Sequence, residues 1–331
     1  MKIQIFLKRI FLSNFKRLDF PYKLTFSVTN KCNSECKFCN IWKKDNIELT
    51  LGEINNFFEK SNKFSWIDLT GGEPFLRDDL YDIVKIIEKK CKNLYILHIP
   101  TNGIETRRII ETLKKISCSE IPKIIISVSI DGPETLHNKN RKADSWSKAV
   151  RTFNAIREIK NVSVYFGFTI NSDNYNKFDE TYSELKIHVK NLDHNDIHVN
   201  LVHKSFYYSN YHIQMPRSSD IIRNVRDIMR KRKLFFTPFL YLEHQYLKLI
   251  KEYLENRKEP LTCKAFHSSC FVNANGDVYP CNSYDKLIGN IKESDYDLGN
   301  IWKTNISLKE CPSCWTPCEA YISILGSILK K

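Results

Sequence analysis

Short runs of β-branched and aromatic residues recur between residues 23 and 202, separated by charged stretches in which apolar residues follow helical spacing. The runs that we predict as strands lie at 23–29, 65–70, 94–100, 123–130, 162–170 and 196–202. Ile83, Ile86 and Ile87 recur at the spacing of one helix face, which predicts a helix near 78–90. Strands that alternate with helices predict a parallel sheet built from right-handed βαβ units. The pattern leaves open a doubly wound sheet and a partial barrel.

Helix ends and changes of pattern divide the chain further. Thr50 and Glu53 have the spacing of a capping box, and Asp144 is the expected N-cap of a helix that begins near Ser145. After residue 202 the chain is first aromatic and irregular, then charged and helical over 217–256, then turn-rich and rich in cysteine. We therefore predict four parts. They are a basic N-terminal segment at residues 1–22, a core at 23–202, a helical linker that borders the substrate pocket at 203–258 and a small cysteine-rich domain at 259–331.

Charge and hydropathy narrow the classes of partner. The 331 residues carry a formal net charge of +13, and residues 1–31 hold seven basic side chains against one acidic one. The N-terminal segment also has an apolar stripe, which comprises Ile3, Phe6, Leu7, Ile10 and Phe15. We expect this stripe either to pack on the core or to contact an anionic membrane surface. No apolar run approaches the ~20 residues that span a bilayer, and no signal peptide is evident, so we expect a cytoplasmic protein. A basic stripe interleaved with aromatics is absent outside the N-terminus, so we expect no specific nucleic-acid partner.

Nine of the eleven cysteines fall into two groups. Clustered cysteines in a reducing compartment are more often metal ligands than disulfide partners. The first group, Cys32, Cys36 and Cys39, directly follows the first predicted strand, so three thiolates can face one centre from a single loop. Three thiolates leave one iron of a [4Fe–4S] cluster open for chemistry. On spacing alone, a zinc site is the alternative.

Polar and glycine-rich motifs follow the next three predicted strands. They are Thr70-Gly-Gly-Glu-Pro74, Thr101-Asn-Gly103 and Ser127-Val-Ser-Ile-Asp-Gly-Pro133, the last followed by His137 and Arg141. The carboxyl ends of parallel strands are where ligand sites form in α/β sheets and barrels. The motifs therefore predict one site at that edge, beside the three cysteines.

Together, CNSECKFC, TGGEPFLR, PTNG, SVSIDGPETLHNKNR and FTINSDN resemble the radical S-adenosylmethionine (AdoMet) superfamily over about residues 23–202. The resemblance implies a partial (β/α)6 barrel, with Cys32, Cys36 and Cys39 on three irons of a [4Fe–4S] cluster and AdoMet on the fourth. It also implies cofactor contacts by residues that match the family's motifs, namely Phe38, Gly71, Gly72, Glu73, Asn102, Ser129, Arg141 and Asn171. Lys142 departs from the glycine that often follows the arginine in the family, at a position that bears on the geometry of that loop.

The second group contains Cys263, Cys270, Cys281, Cys311, Cys314 and Cys318, with a β-hairpin predicted around Gly276. It resembles the auxiliary-cluster module called SPASM, or its shortened "twitch" form. Six cysteines, where the full module has seven, imply one auxiliary [4Fe–4S] cluster. Cys263 and Cys281 are the firmest ligands, and the other four compete for the remaining positions. A zinc knuckle is the alternative.

The resemblance implies an enzyme, an oxidoreductase or a transferase, that cleaves AdoMet reductively and abstracts hydrogen from a peptide, a lipid or another small molecule. It implies a one-electron reductant such as flavodoxin or ferredoxin. Too few residues precede residue 23 for a peptide-recognition domain, which disfavours a leader-dependent modifier. The rival functions are iron–sulfur electron transfer and zinc binding without AdoMet chemistry. Cys91 and Cys118 are expected to pack as small apolar residues, and the aromatics of 203–213 either line the pocket or cover the barrel.

Overall fold

Six parallel strands form the main sheet of the computed structural model, which describes residues 1–233 and 237–329. Their bounds are β1 Lys23–Thr29, β2 Trp66–Gly71, β3 Ile96–Thr101, β4 Lys123–Ser129, β5 Val162–Ile170 and β6 Ile197–Leu201. Each pairs with its neighbour in chain order, and side chains from all six line one cavity. The sheet therefore curves around that cavity as a partial (β/α)6 barrel, and each observed strand lies within two residues of its predicted bounds.

Helices pack around the sheet. Within the described residues they are α1 Lys2–Ser13, α2 Leu51–Lys60, α3 Leu80–Lys90, α4 Thr106–Ile116, α5 Glu134–Arg141, α6 Trp146–Arg157, α7 Phe178–His188, α8 Ser218–Lys231, α9 Pro238–Asn256, α10 Leu298–Trp302 and α11 Pro317–Leu325. All seven residues of β1 are buried because the strand is covered on both sides, with Phe26 against Phe57 and Phe58 of α2. The predicted helical stretch 217–256 contains α8 and α9, and residues 234–236 within it lie outside the described residues.

The predicted helix caps had different outcomes. Thr50 and Glu53 form both hydrogen bonds of a capping box at the start of α2, as predicted. The prediction that Asp144 caps α6 is wrong. The Oδ1 atom of Asn138 on α5 instead accepts from the backbone N–H groups of Ser145, at 3.0 Å, and of the next residue, at 2.9 Å. The connection between α5 and α6 is short, so the Asn138 side chain reaches the free N–H groups at the start of α6. Asp144 accepts a hydrogen bond from the side-chain amide of Asn138 instead.

The two isolated cysteines also differ. Cys91 is buried where α3 ends, as expected for a small apolar residue. Cys118 is exposed, so the prediction that it packs in the interior is wrong. It follows the last turn of α4, where its Sγ lies 3.4 Å from the carbonyl oxygen of Lys114.

The cysteine-rich segment joins the barrel sheet at the free edge of β1. Its strands are β7 Ser269–Val272, β8 Asp277–Tyr279 and β9 Gly289–Asn290. β7 runs parallel to β1 and places Cys270 opposite Leu24, while β7 and β8 form the predicted hairpin with Gly276 at a φ of +96°. A single nine-stranded sheet thus continues across the boundary predicted near residue 258.

The N-terminal helix packs against the barrel along one face. The ring of Phe6 lies 5.8 Å from that of Tyr22, 6.5 Å from that of Trp66 and 5.6 Å from that of Tyr95. Ile10 is buried beside it. Packing on the core, one of the two alternatives for this segment, is therefore observed for this face. No helix in the described part of the chain combines the length and the apolar character needed to cross a bilayer.

Candidate functional site

The barrel encloses a chamber of about 330 Å³. The loop that holds Cys32, Cys36 and Cys39 lines it, together with the residues at the carboxyl ends of β2, β3 and β4. Residues nearer the middle of all six strands line the deeper part. The sequence-predicted edge and the interior of the barrel therefore form one continuous site.

The three cysteines of the first loop are free thiols that face the chamber. Burial, together with the charge of the neighbouring Cys36, raises the pKa of Cys32 to about 11 and that of Cys39 to about 12. The Arg141 guanidinium acts in the opposite direction on all three. At neutral pH these thiols are protonated unless a metal centre binds them as thiolates. Their shared orientation fits a cluster ligated from one loop.

The glycine loop after β2 packs directly against the start of the cysteine loop. The Gly72 N–H donates to the Thr29 carbonyl at 2.9 Å, and the Glu73 N–H donates to the Lys31 carbonyl at 2.8 Å. A Cβ on Gly72 would lie 2.2 Å from the Lys31 oxygen. The position therefore requires glycine because the two backbones touch. Its neighbour Gly71 is equally confined, since a Cβ there would lie 2.3 Å from the Thr29 oxygen.

Glu73 joins the ends of β2 and β3. Its Oε1 accepts from the Phe75 N–H at 3.2 Å and from the Thr101 hydroxyl at 2.9 Å, while Oε2 accepts from the Asn102 N–H at 2.6 Å. Burial raises the pKa of this carboxyl group to about 7, against those hydrogen bonds. Asn102 in turn donates from Nδ2 to Asn33 Oδ1 at 2.7 Å, so the β3 end is tied to the cysteine loop.

Arg141 and Ser129 line the chamber on the β4 side. The Arg141 Nε donates to Asp131 Oδ2 at 2.6 Å, and its guanidinium lies 5.9 Å from the Phe38 ring centre. Lys142, the residue that departs from the family's glycine, has a φ of +50° at the end of α5. The left-handed turn that glycine favours is thus kept with a lysine.

Asn171 lies outside this chamber. It lines a second cavity of about 280 Å³, and its Oδ1 accepts from the Asp173 N–H at 2.8 Å. Phe38 lines both cavities. The structure therefore places Asn171 in a cavity that it shares with Phe38, apart from the other predicted contacts.

Four of the six C-terminal cysteines converge. Cys263 and Cys311 pack with Cys281 around Ala265. Burial first, and then the charges of Glu319 and of the neighbouring Cys314, raise the pKa of Cys263 and the pKa of Cys281 well above the ordinary thiol value. Burial raises the pKa of Cys314 itself to about 12, with Cys311 as the next cause. These four thiols occupy one buried region at the foot of the hairpin.

The other two C-terminal cysteines lie elsewhere. Cys270 is buried within β7 in the main hydrophobic core. Cys318 lines the barrel chamber, and its carbonyl oxygen accepts from the Lys23 Nζ at 2.5 Å. In residues 1–233 and 237–329, no three Cys, His, Asp or Glu side chains converge closely enough to enclose a single metal ion. A [4Fe–4S] cluster does not require such convergence because each thiolate binds a different iron.

The aromatic segment that follows β6 divides between the two predicted roles. His203 and Tyr208 line the chamber. The Tyr207 hydroxyl is buried and forms a 2.5 Å hydrogen bond with that of Ser27, whereas Tyr211 is exposed. The segment therefore both lines the pocket and covers part of the barrel.

Sequence reasoning placed Ser127 in a site motif but missed the row of polar residues inside the barrel to which it belongs. Lys23, Asp68, His98 and Ser127 stand on four adjacent strands and form a continuous chain of contacts. A signal was present for Asp68 and His98, because each is a polar residue between two apolar residues of its strand. Their convergence depends on the register of the four strands, which no local pattern encodes.

Comparison with known proteins extends this description. Residues 26–185 match the family model described as the radical SAM superfamily, and residues 263–319 match the SPASM model, described as an iron–sulfur cluster-binding domain. The antilisterial bacteriocin subtilosin biosynthesis protein AlbA of Bacillus subtilis is 23% identical over 299 residues, which cover 86% of this chain and 58% of that protein. A probable GTP 3′,8-cyclase of Methanocaldococcus jannaschii is 30% identical over 146 residues, covering 43% of this chain and 46% of that protein. The chain thus spans about half the length of these relatives.

Solved structures share the fold. Streptococcus suis SuiB superposes with a TM-score of 0.63 and 18% identity, covering 87% of this chain and 67% of that one. The same protein bound to its precursor peptide SuiA superposes with a TM-score of 0.57 and 16% identity, covering 98% and 76%. At these identities the likeness establishes the architecture.

Proposed function

Because this chain belongs to the radical SAM superfamily and carries a SPASM-type iron–sulfur domain, we propose that it is an enzyme that cleaves AdoMet and abstracts hydrogen from a peptide substrate. The cofactors of this family architecture are a [4Fe–4S] cluster with AdoMet, and iron–sulfur in the C-terminal domain. When bound, they supply one-electron cleavage of a C–S bond and a 5′-deoxyadenosyl radical. The protein positions the reactants and excludes water.

The observation that carries the proposal is the convergence of three free thiols and the glycine loop on one enclosed chamber. A protein that only carried a cluster would need the thiols but not a chamber that continues into the barrel. Cys32, Cys36 and Cys39 are the proposed ligands of the first cluster.

Removal of these ligands tests the activity. The triple variant with alanine at Cys32, Cys36 and Cys39 should lose about four irons per chain and form no 5′-deoxyadenosine with AdoMet and dithionite. Cys118→Ala is the matched control, because this exposed thiol lies outside both groups. Undiminished 5′-deoxyadenosine from the triple variant would refute the assignment.

We assign the AdoMet contacts to two places. Gly71, Gly72, Ser129 and Arg141 line the main chamber, beside the cysteines. Phe38 and Asn171 line the second cavity, and Phe38 connects the two. Glu73 and Asn102 also border the main chamber, but their described hydrogen bonds are internal, so we assign them to holding the loops in place.

The auxiliary cluster is proposed on Cys263, Cys281, Cys311 and Cys314. The support is that these thiols share one buried region. Cys270 is held in a strand, and Cys318 faces the barrel chamber. Four thiols suffice for one [4Fe–4S] cluster, so two of the six cysteines are left without a ligand role.

A peptide is the substrate class that the comparisons favour. The alignment with the bacteriocin biosynthesis protein extends over 86% of this chain, whereas that with the GTP 3′,8-cyclase covers 43%. The fold of SuiB with its precursor peptide also matches 98% of the chain. The test is incubation with AdoMet, dithionite and peptides encoded beside the gene, read by mass change, with GTP as the competing substrate. Conversion of GTP and of no peptide would overturn this choice.

The remaining parts keep their predicted roles within this proposal. We propose residues 23–202 as the AdoMet core, 203–258 as the linker that borders the pocket and 259–331 as the auxiliary-cluster region, joined to the core through β7. A one-electron reductant such as flavodoxin or ferredoxin is the proposed electron donor.

The outer face of α1, within the segment 1–22, is the proposed contact with an anionic membrane. Ile3, Leu7 and Phe11 follow one another at four-residue spacing and are 44%, 55% and 53% exposed. Of the twelve large apolar side chains exposed in the described ranges, seven lie on the N-terminal segment or the adjoining C-terminal end. The exposed Lys8 and Lys16 add positive charge beside this face. An apolar stripe with flanking lysines matches the chemistry of an anionic bilayer surface.

A further inference from the structure

A hydrogen-bonded chain of side chains crosses the floor of the barrel chamber. Lys23 Nζ lies 3.0 Å from Asp68 Oδ2, and Asp68 Oδ1 lies 3.2 Å from His98 Nδ1. His98 Nε2 lies 2.9 Å from the Ser127 hydroxyl. The four residues stand on β1, β2, β3 and β4 in spatial order. Asp68, His98 and Ser127 therefore have the connectivity of a carboxylate, an imidazole and a hydroxyl in series.

The ionised state of Asp68 fixes the direction of the chain. Burial acts to raise the pKa of this carboxyl group, but the Lys23 ammonium and the His98 hydrogen bond outweigh it and hold the pKa well below its usual range. The Trp66 indole N–H also donates to Asp68 Oδ1 at 2.7 Å. A carboxylate can only accept, so the neutral His98 imidazole carries its proton on Nδ1, and in that tautomer its Nε2 accepts from Ser127.

The hydroxyl end of the chain faces open space. Ser127 and His98 both line the chamber, and the His98 side chain is 26% exposed there. On β5, Gly167 pairs with Ser129 and lies close to Ser127, and a Cβ built on that glycine would lie 4.0 Å from the nearest atom, the Ser127 Cβ. The absence of a side chain at Gly167 leaves Ser127 accessible to a molecule in the chamber. The described contacts of the Ser127 hydroxyl leave its lone pairs free to accept from that molecule.

We infer that Ser127, His98 and Asp68 form a proton-accepting chain for an N–H or O–H group of the substrate, with His98 and Ser127 as catalytic residues and Asp68 as a positioning residue. The inference rests on the proposed function and deepens it by naming the group that takes up a proton. The substrate proton moves to Ser127 Oγ as the Ser127 proton moves to His98 Nε2. The electron pair of the broken bond stays on the substrate, Ser127 remains a neutral hydroxyl, and the imidazolium is stabilised by Asp68.

A covalent probe tests whether the chain accepts a proton from Ser127. The anaerobic holoenzyme without AdoMet is treated with diisopropyl fluorophosphate and analysed by peptide mass spectrometry. Ser127 Oγ forms a bond to phosphorus, fluoride leaves with its electron pair, and the hydroxyl proton passes to His98. Ser129 is the matched control, because it faces the same chamber from the same strand and has no histidine partner among the described contacts. We expect label on Ser127 and none on Ser129.

Variants test whether labelling of Ser127 depends on the proton-accepting chain or only on the accessibility of its hydroxyl. His98→Asn keeps a hydrogen-bonding side chain but cannot accept the proton, so labelling of Ser127 should slow by on the order of a hundredfold. Asp68→Asn should slow it as well, and Asp68→Glu should restore most of the rate. Asp68→Asn removes the carboxylate that pairs with the buried Lys23 ammonium. If the Asp68 variant does not fold for that reason, the labelling rate of the His98 variant decides the test.

The outcomes are distinct from those of the proposed function. Unlabelled Ser127, equal labelling of Ser129, or an unchanged rate in the His98 variant would overturn the inference. The same preparations are assayed for 5′-deoxyadenosine. If 5′-deoxyadenosine forms while Ser127 stays unlabelled, only this inference fails. If Ser127 is labelled but no 5′-deoxyadenosine forms, the proposed function fails, and with it the substrate role of the chain.

Discussion

Gly72→Ala places a single methyl group between the glycine loop and the cysteine loop. The added Cβ would lie 2.2 Å from the Lys31 oxygen and 2.7 Å from the Asn30 oxygen. Carbon and oxygen normally approach to about 3.4 Å, so the two backbones must separate by about 1 Å. Both neighbouring atoms belong to the backbone, so no side-chain rotation relieves the contact.

The free-energy cost of Gly72→Ala follows from the hydrogen bonds that this separation breaks. The hydrogen bonds from Gly72 to Thr29, at 2.9 Å, and from Glu73 to Lys31, at 2.8 Å, hold the loops together. Their loss costs about 1 kcal/mol each, and overpacking adds about 1–3 kcal/mol. A total of about 3 kcal/mol or more lowers the population of the assembled loop pair by roughly a hundredfold. The fold itself should survive, since domains have about 5–15 kcal/mol of stability.

We therefore expect the Gly72 variant to bind about four irons after anaerobic reconstitution, where the parent binds about eight, and to lose AdoMet affinity in calorimetry. Gly52→Ala is the matched control. Its Cβ would have no neighbour nearer than the Thr50 Oγ1 at 4.0 Å, and it lies in α2, where alanine is the better helix former. A Gly72 variant with full iron content and parental AdoMet affinity would refute the claim that this glycine positions the cysteine loop.

The convergence of four C-terminal thiols predicts that Cys281→Ala loses about four irons and that Cys270→Ala keeps its full iron content, as measured by iron and sulfide analysis. Iron loss from the Cys270 variant would contradict the proposed ligand set. On α1, Phe11→Gln should weaken co-sedimentation with anionic vesicles at low salt. The control Ile187→Gln, which changes a 77% exposed side chain on α7, should not weaken it. Equal effects of the two substitutions would contradict the membrane proposal. Asn138→Ala should lower the free energy of unfolding by about 1–2 kcal/mol in urea titrations because α6 loses its cap, and unchanged stability would show that water replaces it.

The six strands were predictable because their signals are local. Each is a short β-branched or aromatic run. Their closure into a partial barrel was not, because the strand pattern alone fits a doubly wound sheet equally well. The cap of α6 was not predictable in the same way. Asn138 reaches the helix start from the preceding helix, and only the geometry of the loop decides between it and Asp144. The left-handed Lys142 is similar, since the residue type alone argues against the conformation that the loop adopts.

The candidate site likewise has one part that the local sequence predicts and another that depends on long-range folding. One loop carries Cys32, Cys36 and Cys39, so their common orientation follows from spacing. The choice among six C-terminal cysteines does not, because it depends on which segments fold back together. Pairing of β7 with β1 places Cys270 in the core, a long-range fact that spacing cannot express. The polar row at the chamber floor likewise exists only once four strands are in register.

The pairing of β7 with β1 has a consequence for synthesis in the cell. β1 is the first strand of the sheet to be made, yet its second neighbour is completed only at residue 272. At ribosomal rates of 5–20 residues per second, one edge of β1 waits roughly 10–50 s for its partner. During that interval an apolar strand presents unpaired backbone groups, the usual template for aggregation. A nascent chain released before residue 272 would keep that open edge, so incomplete translation products of this protein should depend on chaperones more than the finished chain does.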